Sequence, residues 1–311
     1  MPKKIILLFD LDGVLVKPGG YRAASRDTLL FFLDKMSVTT NLPGEDGLAQ
    51  FESITITNEW DMVPLALAMV MEALYQNMRF TPQAKTLAES METIRGSGVK
   101  TAEVDYFASI NRLQSLLKPH QVPCRAVLAG CEAGEAGGVF RSVPLPVLRE
   151  LLGHTRDVRR SPTTRIFQQM ILGSELFSQT YGLEADLQCK SYLLELDRPL
   201  LTEESREFLR LGLQTGRLFC AGLTLRPSLP PGANQNGNAI YSPETELARR
   251  FIGLEALPVI GYGEMHLLAE RLGVEADSVI KPSPFQALTA LAVAVNLNLM
   301  AAYAWVERGY R

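Results

Sequence analysis

Three short, densely apolar runs stand out along the chain: residues 4–10 (KIILLFD), 217–224 (RLFCAGLT) and 257–260 (LPVI). Each is too short for a helix and is bounded by polar or turn-forming residues, so each predicts a buried strand. Around the last two the period changes to that of a helix. TEESREFLRLGLQTG precedes the second run, SPETELARRFIG the third, and GEMHLLAERLG follows it. Strands alternating with amphipathic helices predict a parallel sheet with helices on both faces. Between the first strand and the helix near residue 202 the pattern is almost wholly helical, with apolar stripes in YRAASRDTLLFFLDKM, NEWDMVPLALAMVMEALYQNM, TPQAKTLAESMETIR, DYFASINRLQSLL and TRIFQQMILGSELFSQTYG. Glycine- and proline-rich stretches at 128–138 and 226–238 predict loops. The organisation this predicts is an α/β core in two pieces, residues 1–17 and 200–311, with a helical domain over 18–199 inserted between them.

Composition narrows the picture. Apolar residues make up 47% and charged residues 21% of the 311, which marks a folded globular chain. A formal net charge of −3 argues against nucleic acid or an anionic membrane as partner. Cys124, Cys131, Cys189 and Cys220 form no CxxC pair and predict reduced thiols of a cytoplasmic protein. The segment 285–306 carries no charge and is long enough to span hydrocarbon, but Gln286, Asn296 and Asn298 would need partners in lipid, so it predicts a mostly buried helix. The start MPKK lacks the features of a signal peptide. His120, His154 and His266 share no motif and are expected to be structural.

The chemistry concentrates at the end of the first strand. FDLDGVLV places Asp10 and Asp12 two residues apart, where two acids repel unless a cation or an electrophile lies between them. This D-x-D-G-V segment resembles the opening signature of the haloacid dehalogenase-like (HAD) phosphohydrolase superfamily. Three further features fit that resemblance: the strand LFCAGLTLRPS ending in Thr224, Lys281 ahead of a helix in DSVIKPSPFQAL, and the long helical insertion after the first motif. The resemblance implies a HAD-like Rossmannoid α/β core with a C1-type helical cap. It implies a Mg²⁺-dependent phosphatase in which Asp10 is the nucleophile, Asp12 the acid and base, Thr224 a phosphate-oxygen ligand and Lys281 a charge neutraliser. Leu11, Gly13, Leu225 and Arg226 would line the phosphate through backbone amides or charge, and Asp10 and Asp12 would hold the metal.

In the insertion, Glu59 and Asp61 follow a helix N-cap at Thr57 or Asn58; they either complement the helix dipole or bind a substrate hydroxyl or amine. Arg165 either clamps a second anionic group of a small phosphorylated substrate or makes a surface salt bridge. The superfamily's fourth motif, an acidic cluster, has no counterpart before Arg311. That leaves Mg²⁺ with few protein ligands and leaves one edge of the first strand to be covered by a second copy of the chain, a C-terminal fragment or rearranged local chain. A binding or regulatory protein without turnover and a phosphomutase are the alternative functions.

Overall fold

The computed structural model describes residues 6–80, 83–119, 121–135, 137–231, 239–296 and 299–310. Of the positions discussed above, residues 1–5, 81, 82, His120, 136, 232–238, 297, Asn298 and Arg311, and the side chain of Asn296, lie outside the described residues. In chain order the described strands are β1 (Ile6–Asp10), β2 (Val16–Lys17), β3 (Thr39–Thr40), β4 (Thr101–Ala102), β5 (Arg198–Pro199), β6 (Phe219–Leu223) and β7 (Val259–Ile260). The fold is mixed α/β, rich in helix, with a small parallel sheet.

The chain divides into two compact units, residues 1–21 with 171–311, and residues 22–170. The boundaries expected from sequence therefore shift: residues 18–21 and 171–199 pack with the unit that contains β1. Part of the reason is visible at β2 and β5, which pair antiparallel with Val16 opposite Pro199 and Lys17 opposite Arg198. Gly20 also donates its N–H to Asp197 at 2.8 Å. These contacts fasten both segments to the end of β1.

In the first unit the sheet order is β1-β6-β7, all parallel, with Ile6 opposite Phe219, Asp10 opposite Leu223 and Leu223 opposite Ile260. The two-residue period of the strands sends alternate side chains to opposite faces. Ile6, Ala221, Leu223 and Ile260 join one core with Met265, Leu268, Phe285, Val293 and Tyr303. Leu7, Phe9, Cys220 and Val259 join the other, with Leu11, Leu15, Leu209 and Ile252. Both faces are covered, as a parallel sheet requires. The helices predicted around β6 and β7 form at Glu203–Gln214, Glu244–Phe251 and Tyr262–Leu272.

Two expectations are corrected. The apolar stretch after Lys281 is two helices, Pro284–Asn296 and Leu299–Tyr310, and one side stays open to water at Leu288, Val295, Met300 and Trp305. No helix among the described residues is long and apolar enough to cross a membrane. The run 164–182 likewise breaks into Pro162–Leu172 and Ser174–Tyr181, at Gly173, whose φ is +78°. Among the described residues β1 has a strand partner on one side only, β6, and Leu8 is 39% exposed.

The second unit centres on the Glu59–Gln76 helix. Nearly every side chain from Trp60 to Leu74 is buried there, so the helix is apolar all round and surrounded by others. Asn58 is its N-cap, accepting the Trp60 N–H at 2.8 Å. Residues 128–132, expected in a loop, extend the Pro123–Glu132 helix, which starts on a proline at its first turn.

Candidate functional site

The C-terminal ends of β1 and β6 bring together five of the residues selected from sequence: Asp10, Asp12, Thr224, Arg226 and Lys281. Parallel strands place their carboxyl ends along one rim, where α/β sheets gather ligand-binding groups. Asp10 is the last residue of β1, and its side chain is 43% exposed. Lys281 reaches it from the loop before the Pro284–Asn296 helix, with Nζ donating to Asp10 Oδ2 at 2.8 Å. Gln286, fully buried on that helix, fixes the approach. Its Nε2 donates to the carbonyls of Thr224 (2.8 Å) and Ile260 (3.0 Å), and its Oε1 accepts the Lys281 N–H at 3.2 Å.

Asp12 sits in a different environment. Arg226 grips its carboxylate through Nε (3.0 Å to Oδ1, 3.1 Å to Oδ2) and Nη2 (2.5 Å to Oδ1), and the Thr224 hydroxyl donates to Oδ2 at 3.2 Å. Arg226 is 3% exposed, and its Nη2 also donates to Asp197 at 2.9 Å. The Tyr21 ring lies 4.9 Å from its Cζ, and the Tyr21 hydroxyl donates to Glu244. Burial alone disfavours the guanidinium charge, but Tyr21, Asp12 and Asp197 more than offset it and hold the arginine pKa above its ordinary value. Burial raises the Asp197 carboxyl, and Arg226 opposes that rise. Burial, followed by Glu244, raises the Tyr21 phenol.

Several assignments change with this geometry. Arg226 is engaged by two carboxylates and does not face solvent as a phosphate ligand. The Thr224 hydroxyl donates to Asp12 and accepts the Arg226 N–H at 3.1 Å, while its own N–H goes to Ile260. Gly13 takes the left-handed backbone (φ +78°) expected of the turn, yet its N–H donates to the Val16 carbonyl at 2.8 Å and is not presented to a ligand. The Leu11 side chain is fully buried in the core. Leu225 is half-buried beside Thr224.

Glu59, Asp61 and Arg165 belong to the second unit. Glu59 and Arg165 are half-buried on their helices. Asp61 points inward at 1% exposure, pairs with Arg156 Nη2 at 2.6 Å, and accepts from the Thr155 hydroxyl and the Cys124 N–H. It is a buried ion pair of the helical unit, so its assignment as a substrate contact is corrected. All four cysteines are free thiols, and burial pushes Cys131 up to about 11. His266 is half-buried with Nδ1 3.7 Å from Glu270.

Sequence reasoning missed Asp197, Tyr21 and Glu244. Asp197 lies between the Tyr192–Leu196 helix and β5, and Glu244 reads as a helix first-turn acid. Neither position carries a local pattern that reports a partner near residue 226.

A Mg²⁺ ion would find an incomplete set here. One Asp10 oxygen faces Lys281, and both Asp12 oxygens are occupied by Arg226 and Thr224. Among the described residues no group of three or more His, Cys, Asp or Glu side chains is placed to hold a metal. That falls short of the shell a six-coordinate hard cation takes.

No protein-family model and no curated protein matches the chain. Among solved structures, the X-ray structure of a Northeast Structural Genomics Consortium target is similar, with 15% identity and a TM-score of 0.62 over 98% of this chain and 81% of that one. At such identity the likeness concerns the fold alone.

Proposed function

We propose that the chain is a HAD-like phosphohydrolase, a Rossmannoid core with an inserted helical cap, which acts on a small phosphorylated metabolite through an aspartyl-phosphate on Asp10. The observation that carries this reading is the contrast between the two acids. Asp10, with its side chain 43% exposed, ends a parallel strand beside Lys281 and has one oxygen engaged, while Asp12, 31% exposed, has both oxygens engaged by Arg226 and Thr224. An ionised, accessible carboxylate needs no base to act as nucleophile. Asp10 attacks phosphorus, the leaving oxygen takes a proton from Asp12, and Asp12 then accepts a proton from the water that cleaves the acyl phosphate. Lys281 offsets negative charge that builds next to Asp10. The described residues do not complete a Mg²⁺ shell. Mg²⁺ dependence is a matter for titration.

The test is hydrolysis of an aryl phosphate by the wild-type chain, with and without added Mg²⁺, against Asp10→Asn. Loss of turnover in the variant with an unchanged circular dichroism spectrum supports the reading; comparable rates in both refute it. One observation favours a second reading, a protein that binds a phosphorylated ligand without turnover: both oxygens of Asp12 are engaged by Arg226 and Thr224, away from the role of an acid toward a leaving group. Binding of a phosphate monoester with no hydrolysis would select it. A requirement for a bisphosphate activator would select a phosphomutase.

A further inference from the structure

We propose that the second unit carries a binding site of its own for a small organic anion with an apolar body, such as an aryl or short-acyl carboxylate, in the cavity between the end of its central helix and the glycine-rich turn after residue 132. The site stands apart from the phosphohydrolase reading: all of its described lining residues lie within 22–170, and none belongs to the Asp10 cluster. The cavity measures about 710 Å³, inside the roughly 300–1,000 Å³ of small-molecule sites. One wall is the chain leaving the Glu59–Gln76 helix, where Met78, Arg79 and Phe80 follow the C-cap Asn77. The other is residues 134–145, and it is held in place. The Pro123–Glu132 helix closes in a Schellman turn: the Gly134 N–H donates to the Cys131 carbonyl at 3.2 Å and the Glu135 N–H to the Gly130 carbonyl at 2.9 Å, with Gly134 at φ +72°. Farther on, the Ser142 N–H donates to Glu72 Oε2 at 2.8 Å, and Val139, Phe140 and Val143 are buried. Walls tied to helices in this way spare a ligand the cost of ordering them.

The lining selects the ligand's chemistry. Met78, Phe80, Leu145 and Leu148 supply apolar surface, and Phe80 is 51% exposed, so its ring can pack on a bound apolar body. Arg79 and Arg141 supply charge. Among the described residues neither guanidinium has an ion pair or hydrogen bond, whereas Arg95, Arg149 and Arg156 of the same unit each pair with a carboxylate. The Arg141 side chain lies against Gly138, where a Cβ would sit 3.4 Å from its Nε. No aspartate, glutamate or histidine is among the described lining residues. Glu72, which holds Ser142, has its other oxygen on Gln76 Nε2 at 2.9 Å. Two unpaired guanidiniums beside apolar walls, with no lining carboxylate to neutralise them, favour an anion that brings its own apolar surface. With no lining acid or imidazole, and with burial holding the Cys131 thiol protonated, the cavity is built to bind and not to react.

The experiment is calorimetric titration of the full chain with 1-naphthoate, and with its neutral amide, 1-naphthamide, as control. Naphthoate should bind in the micromolar range and more tightly than the amide. Arg79→Gln and Arg141→Gln should each raise the naphthoate Kd about tenfold and leave that of the amide unchanged, while Phe80→Ala should weaken both ligands. All three side chains are exposed, so the circular dichroism spectrum should not change. Asp10→Asn should bind naphthoate as the wild type does. If a variant fails to fold, salt takes its place: added NaCl should weaken naphthoate and not the amide. No saturable binding tighter than about 1 mM, equal affinity for acid and amide, or wild-type affinity in folded Arg79→Gln/Arg141→Gln overturns the proposal. Loss of naphthoate binding in Asp10→Asn would place the anion in the first unit and overturn it too. Arginine-dependent binding by a chain that hydrolyses no phosphate ester would uphold this site and refute only the phosphohydrolase reading.

Discussion

Asp61→Ala separates a structural from a substrate-binding role for the acid that opens the central helix of the second unit. The side chain is 1% exposed and receives three hydrogen bonds, from Arg156 Nη2 at 2.6 Å, Thr155 Oγ1 at 3.2 Å and the Cys124 N–H at 3.4 Å. Truncation removes the carboxylate that pairs with a buried arginine, and breaking such a pair costs about 3–5 kcal/mol, because less of the arginine's desolvation is then offset. With a urea m-value of roughly 1–3 kcal/mol per molar, the unfolding midpoint should drop by about 1 M or more. Trp60, buried next to Asp61, is the fluorescence probe for that unit. Asp61→Asn keeps an acceptor for Thr155 and Cys124 and should cost less. The double variant Asp61→Ala/Arg156→Leu should recover part of the loss, since the buried charge goes with its partner. A midpoint within about 0.3 M of wild type for Asp61→Ala would refute the reasoning, the smallest loss on this scale being several times that. Lost ligand affinity at unchanged stability would return Asp61 to the substrate.

Further outcomes follow from the first unit. Lys281→Ala should lower any phosphatase turnover by about 10²-fold with little change in fold, measured as kcat on an aryl phosphate; an unchanged kcat would remove Lys281 from the chemistry. Glu246 is pushed up to about 7 by burial and by neighbouring Glu264, against an ordinary 4.5. A raised acid contributes stability that is fully present below pH 4.5 and is lost as pH rises through about 7, so Glu246→Gln should be the more stable chain by up to about 3 kcal/mol at pH 8, with the gap closing toward pH 4.5; equal pH profiles would refute this. Gly263→Ala should destabilise the start of the Tyr262–Leu272 helix, because a Cβ there would lie 2.3 Å from the Ser228 carbonyl oxygen, and a thermal melt unchanged from wild type would contradict that approach. Leu8→Lys on the open edge of β1 should reduce self-association seen by sedimentation; no difference from wild type would show that the edge does not drive it.

The three strands of the main sheet were legible because each is a short apolar run with turn residues at its ends, and β1, β6 and β7 fall within those runs. Asp10 and Lys281 were legible as types in an order, and they meet at 2.8 Å. What sequence could not show is which charge faces which. Arg226 and Asp12 are 214 positions apart, and Arg226 reads as an ordinary loop arginine until Asp197 and Tyr21 close around it. Asp61 reads as a helix first-turn acid, because the dipole explains it equally well; its burial depends on Arg156, 95 residues away. Helix breaks were also hidden. The apolar stripe runs on through Gly173, whose left-handed backbone, not its polarity, ends the helix.

The most direct measurement of the central claim is acid-quench mass spectrometry after incubating the chain with acetyl phosphate. The account predicts a hydroxylamine-labile phosphoryl adduct on the peptide that carries Asp10, absent in Asp10→Asn and longer-lived in Asp12→Asn, where the base that activates water is gone. An adduct on another residue, or turnover of a phosphate ester by Asp10→Asn at the wild-type rate, would contradict it.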